Sequence, residues 1–186
     1  MNQANRFISE ISAPILIDNG LQLDFLQYIF PKDEKTGRYK VTSTNLVGEA
    51  ATYLAQPVLE PAELAPEEGK TLCILELPAM EGLSDCRNKW VAYSKNSMIR
   101  INHLLKVYFE MDFYRYYLKG LQYGYEKQEI VEMYVISRNL TTGEPFDTLH
   151  KRVYRHEQKL MAAKVRQLRR KAKYFFDEQD NTLKAK

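Results

Sequence analysis

The period of apolar and polar positions changes along the chain, from short mixed segments to long helical ones. Ile15-Leu16-Ile17 is an apolar run that ends in Asp18-Asn19-Gly20, which reads as a strand closed by a turn. From Leu21 to Phe30 the apolar residues fall at 21, 25, 26, 29 and 30, a helical spacing stopped by Pro31. Residues 32–40, centred on Lys35-Thr36-Gly37-Arg38, read as an exposed turn. Thr44-Asn45 can cap a helix carrying Leu46, Val47, Ala50, Ala51 and Leu54, ended by Pro57. Residues 57–69 hold Pro57, Pro61 and Pro66 with Glu60, Glu63, Glu67 and Glu68, and predict an extended acidic linker. Thr71–Leu77 is the strongest strand candidate, and Trp90-Val91-Ala92-Tyr93 is its expected partner across residues 78–89.

Beyond Ser94 the pattern is helical. Ser97 is the expected cap of a helix running to Lys119, with Gly120 as its C-terminal stop. Its apolar residues cover more than one face, which predicts burial on several sides. Tyr125-Glu126 opens a second helix with Ile130, Val131 and Tyr134 at helical spacing. Residues 138–145 read as a loop, and a long third helix is expected from about Asp147 to Phe176. The pattern predicts a mainly α (α+β) fold and a single domain over residues 1–186. Residues 1–93 form a mixed α/β acidic part containing a short β-hairpin or sheet. Residues 94–186 form a basic helical bundle of about three helices.

Charge sharpens that division. Residues 1–90 carry 8 Lys/Arg and 13 Asp/Glu, whereas residues 91–186 carry 19 and 11. Between Thr148 and Phe176 there are ten basic residues and one acid, Glu157. Such asymmetry points to a polyanion or to an acidic protein surface as partner. No apolar run reaches the ~20 residues a membrane helix needs. The first residues lack a basic stretch followed by an apolar one, so no secretory signal is expected and a cytoplasmic or particle-assembled location is. Cys73 and Cys86 are too few for a disulfide framework and lack metal-ligand spacing.

Catalytic signatures are missing from the sequence. The glycines form neither a dinucleotide fingerprint nor a P-loop, and there is no G-x-S-x-G or H-E-x-x-H. His103, His150 and His156 lie apart, and Glu68-Gly69-Lys70 has no nearby Asp to complete a nuclease-like metal site. The expectation is therefore no enzyme, no cofactor, no metal and no small-molecule substrate.

Two features carry binding instead. Tyr108, Phe109, Phe113, Tyr114, Tyr116, Tyr117, Tyr123 and Tyr125 are dense enough to serve both a core and an interface, with Tyr114 and Tyr117 expected on the docking side. In the basic helix Tyr154, Gln158, Met161, Val165, Leu168, Ala172 and Phe175 follow an alternating four-three spacing. That seam makes Tyr154, Met161, Val165, Leu168 and Phe175 candidate interface residues. Arg152, Arg155, Lys159, Arg166, Arg169, Arg170 and Lys173 lie off it and are the candidate phosphate-binding set.

Leu118-Lys119-Gly120-Leu121, Gln128-Glu129-Ile130-Val131-Glu132, Ile136-Ser137, Thr148-Leu149 and Val153-Tyr154-Arg155 together resemble the helix-turn-helix of sigma-factor-like regulators. The resemblance implies a basic second helix entering the major groove. The chain departs from it in the connection: about three or four residues join such helices, whereas ten stand between Ser137 and Thr148. The expected function is a non-enzymatic structural subunit of a multi-chain assembly, such as a ring or the shell of a virus particle. Its partners are other protein chains, foremost further copies of itself, and no membrane is among them. The alternative is a nucleic-acid-binding protein using residues 148–173.

Overall fold

The protein is described by a computed structural model covering residues 11–78 and 90–157, together with residues 159, 160, 163 and 166. Its elements are β1 (Ile11–Asp18), α1 (Leu21–Ile29), β2 (Tyr39–Lys40), α2 (Leu46–Tyr53), β3 (Gln56–Val58), β4 (Lys70–Leu77), β5 (Trp90–Ala92), α3 (Lys95–Gln122) and α4 (Lys127–Ser137). A further helix, α5, covers 145–157, and 159, 160, 163 and 166 are also helical. The fold is α+β. The chain divides into two compact units, residues 1–145 and 146–186.

In the first unit β4 is the centre of a three-stranded sheet in the order β1-β4-β2. β1 runs antiparallel to it, from Ile11 opposite Leu77 to Asp18 opposite Lys70, while β2 runs parallel and pairs Tyr39 with Leu75. The register sets Ala13 opposite Leu75 and Ile15 opposite Cys73, and all four are buried. Side chains opposite one another in a ladder share a face, so this face is the core side of the sheet.

The expected hairpin between Thr71–Leu77 and Trp90–Tyr93 does not form. β4 is paired along its length by β1 and at Leu75 and Glu76 by β2, and β5 pairs antiparallel with β3 instead, with Pro57 opposite Val91. Residues 57 and 58, assigned from sequence to the linker, therefore belong to a short strand. Pro57 fits there because a two-stranded sheet has only edges, where a missing N–H costs no ladder bond. From Leu59 to Glu67 the segment has no helix or strand. The turn after α1 also contains more order than expected, since it ends in β2.

Among the described residues β1 is an edge strand, and a helix covers part of that edge. The buried Asn102 of α3 donates to the carbonyls of Leu16 (2.8 Å) and Met98 (3.0 Å), and its Oδ1 accepts from the Asp18 amide at 3.1 Å. One side chain thus satisfies two strand groups that would otherwise invite another strand. Tyr93 does similar work for α2, its hydroxyl donating to the Ala51 carbonyl at 2.8 Å.

Gly120 is not the end of α3. The cap at the start is Ser94, whose hydroxyl accepts from the Ser97 amide, and the helix continues to Gln122. Gly120 is buried inside it, and the residue that stops the helix is Gly124, at φ 82°. The Gly124 amide donates to Leu121 and the Tyr125 amide to Gly120, which closes the last turn as a Schellman motif. α4 ends the same way with Asn139 at φ 50°: Asn139 donates to Ile136 and Leu140 to Val135. Leu140 is buried, as the apolar residue after such a turn tends to be.

Candidate functional site

The surface around the α3–α4 turn is built from tyrosines. Phe109 and Phe113 face inward, and Phe113 meets the Tyr134 ring of α4 edge-on at 5.0 Å. Tyr116 lies one turn towards the end of α3 and meets the same ring from another side at 5.3 Å. Beyond it the Schellman turn brings Tyr123 and Tyr125 beside Tyr116, Lys119, Gly120 and Met133, which together line a groove of about 390 Å³. Tyr123 is 70% exposed and Tyr125 50%. The Lys119 ammonium sits 5.9 Å from the Tyr123 ring centre, within reach of a cation–π attraction.

The wall of the groove is held from behind. Asp112 accepts from Arg138 Nε at 2.8 Å and Nη2 at 3.3 Å, and from the Tyr134 hydroxyl at 3.1 Å. The guanidinium lies 4.4 Å from the Tyr28 ring centre, 5.4 Å from Tyr134 and 5.6 Å from Tyr116. A planar cation suits this position because it can bond a carboxylate in its plane and stack aromatic rings on its faces. Burial, reinforced by the Asp112 carboxylate, pushes the Tyr134 hydroxyl well above the usual phenol range.

The sequence-predicted docking residues divide on this geometry. Tyr114 is half-buried, its ring 5.5 Å from that of Phe113. Tyr117 is only 5% exposed and packs 6.1 Å from Phe113, so it belongs to the core and presents no docking surface. The helical turn carries its side chain to the same face as Phe113, four positions earlier. Tyr116, Tyr123, Tyr125 and Met133 form the groove in its place. The signal for them was Gly124 between two tyrosines: a left-handed glycine turns the chain and leaves its neighbours outside.

In the second unit, Arg155, Lys159 and Arg166 are exposed and Arg152 is half-buried. Arg169, Arg170 and Lys173, with Met161, Val165, Leu168 and Phe175, lie outside the described residues. Tyr154, placed on the apolar seam from sequence, is 58% exposed. The buried positions of α5 are Leu149 and Val153 instead, one helical turn apart, so the stripe is displaced by one residue where it begins.

Among the described residues no helix is long and apolar enough to cross a membrane, and no three His, Cys, Asp or Glu side chains gather as a metal site. No family model matches the chain, and no curated protein or solved structure matches it either.

Proposed function

We propose that this chain is a non-enzymatic subunit of a multi-chain assembly, docking on neighbouring copies through the tyrosine groove and the basic helix. The observation that carries this reading is the exposure of Tyr123 and Tyr125 in a groove whose Tyr116 wall packs against Tyr134 and Arg138. Aromatic side chains with a polar tip and few rotatable bonds suit an interface, because they bury large area at small entropic cost. A groove backed by an ion pair and edge-on ring contacts is also pre-organised, which lowers the cost of association.

The test is molar mass by light scattering over a concentration series, for the native chain and for a Tyr123→Ser, Tyr125→Ser variant. Self-association that the double change abolishes, with circular dichroism unaltered, supports the reading. A monomer at every concentration overturns it.

A second reading rests on the exposed cations Arg155, Lys159 and Arg166, which suit a phosphate backbone. It requires DNA affinity that falls steeply with salt. Changing Arg166, Arg169 and Arg170 to Gln then removes that binding and leaves the oligomer intact. Leu168→Asp, in contrast, disrupts the assembly if the helix docks through its seam.

A further inference from the structure

We propose that the cleft beside the first turns of α3 binds a small organic anion, a phosphate or carboxylate group carried on an apolar body. The cleft encloses about 340 Å³ and shares no residue with the tyrosine groove. Lys95, Met98, Ile99, Asn102, His103 and Lys106 of α3 form one wall. Their spacing is that of a single helix face, so the helix presents this set together. Leu16 and Asp18 of β1, Gln22 of α1, Glu67 near the end of the linker and Lys70 at the start of β4 complete it.

The charges in the cleft do not balance. Lys70 and Glu67 are paired with one another at 2.7 Å, and Asp18 stands opposite Lys70 in the β1–β4 ladder. Lys95 faces Glu67 as well and helps hold its carboxyl down, but makes no ion pair, and His103 and Lys106 have no ion-pair partner among the described residues. α3 compounds the imbalance: its first acidic residue is Glu110, so Lys95, Arg100 and Lys106 precede any carboxylate on the helix. Of these Lys95 lies in the first turn, at the positive end of the helix dipole, where a cation is unfavourably placed and an anion held beside it improves both interactions. Lysines without an arginine fork recognise an anion as point charges, which admits phosphate and carboxylate alike.

The apolar part of the wall argues for more than a bare ion. Met98 and Ile99 lie between Lys95 and His103 along the helix, and Ile99 is 57% exposed. A ligand with an apolar body covers them while its charged group meets the lysines. Asn102 takes no part in binding, because its amide already holds β1.

The experiment is an amide chemical-shift titration of the full chain with phenyl phosphate, benzoate and inorganic phosphate, repeated on a Lys95→Gln, Lys106→Gln variant. The expected result is saturable shifts at Met98, Ile99 and His103 with phenyl phosphate or benzoate, the stronger probe identifying the anionic group. The double change should weaken that binding about tenfold or more. Absence of shifts in the cleft, shifts confined to α5, or equal binding by the variant would each overturn the proposal. Inorganic phosphate binding as tightly as phenyl phosphate, with benzoate inert, overturns the role given to the apolar wall.

Discussion

A β-carbon placed on Gly120 would lie 2.6 Å from Cγ1 of Ile130 and 2.9 Å from its Cδ1. The crossing of α3 and α4 is thus as close as it is because residue 120 has no side chain. Ile130 is fully buried in the space that results.

Gly120→Ala therefore sets two effects against each other. Helix propensity favours alanine by about 1 kcal/mol, while forcing an extra carbon into a packed crossing costs about 1–3 kcal/mol. The second should win, because the obstructing atoms belong to a buried branched side chain. Urea denaturation should show a net loss of stability. In combination with Ile130→Ala, the cost should be smaller than the sum of the two single changes, since the clash is gone; strict additivity would mean that the two residues do not touch.

Asp24 gives a second test. Its carboxylate is buried on α1, where it accepts from the amides of Thr141 (2.6 Å) and Thr142 (2.7 Å) and from the Thr142 hydroxyl (2.6 Å). Asp24→Ala removes the charged acceptor of these bonds, at a cost of about 1.5–3 kcal/mol. Hydrogen exchange at the amides of 141 and 142 should accelerate in the variant more than at the α3 core. Unchanged exchange there would show that the carboxylate does not hold the segment.

The turn before β2 should be sensitive to acid. The Thr36 amide, the Lys40 ammonium and the Lys35 amide hold the Asp33 carboxyl down at about 2. A depressed carboxyl contributes stability that is present above its ordinary value and lost as pH falls through the folded one. The amide shifts of Lys35 and Thr36 should therefore titrate with a midpoint near pH 2. A midpoint at the ordinary carboxylate value would mean that the turn is open in solution.

Cys73 should be inert. Burial pushes its thiol up to about 11, although the Tyr39 hydroxyl and Lys32 act in the opposite direction. The thiolate is the reactive form, and little of it exists near neutral pH. In a Cys86→Ser chain an aromatic disulfide reagent should find no thiol until denaturant is added. Rapid labelling without denaturant would show that the face of β4 bearing Cys73 opens readily.

Local signals were legible in the sequence wherever a residue acts on its own neighbours. Asn45 caps α2 as its spacing indicated, accepting from the Gly48 amide, and Pro31 ends α1 through its missing donor. What could not be read depends on residues far apart in the chain. Nothing beside Trp90 shows that β4 is already paired on both sides. Nothing beside Gly120 shows that Ile130 will lie against it, so the glycine reads as a stop. Tyr117 and Tyr123 are both tyrosines of one aromatic cluster, and what separates them is that Tyr117 shares the Phe113 face that α4 covers whereas Tyr123 sits at the Gly124 turn. The groove was half visible for the same reason: its composition is local, its shape is not.

The position of β4 in the sheet also has a consequence for synthesis. Among the described residues the ladder partner of β1 is β4, which follows only after α1, β2, α2, β3 and the acidic linker. On the ribosome, Ile15-Leu16-Ile17 must wait for their ladder partners until residue 73 has emerged. Closing so long a loop is entropically slow, and an unpaired apolar strand is meanwhile open to pairing with another chain. The charged, proline-bearing stretch between the two strands is poorly suited to compete for β1, which leaves that strand free for β4 when it arrives.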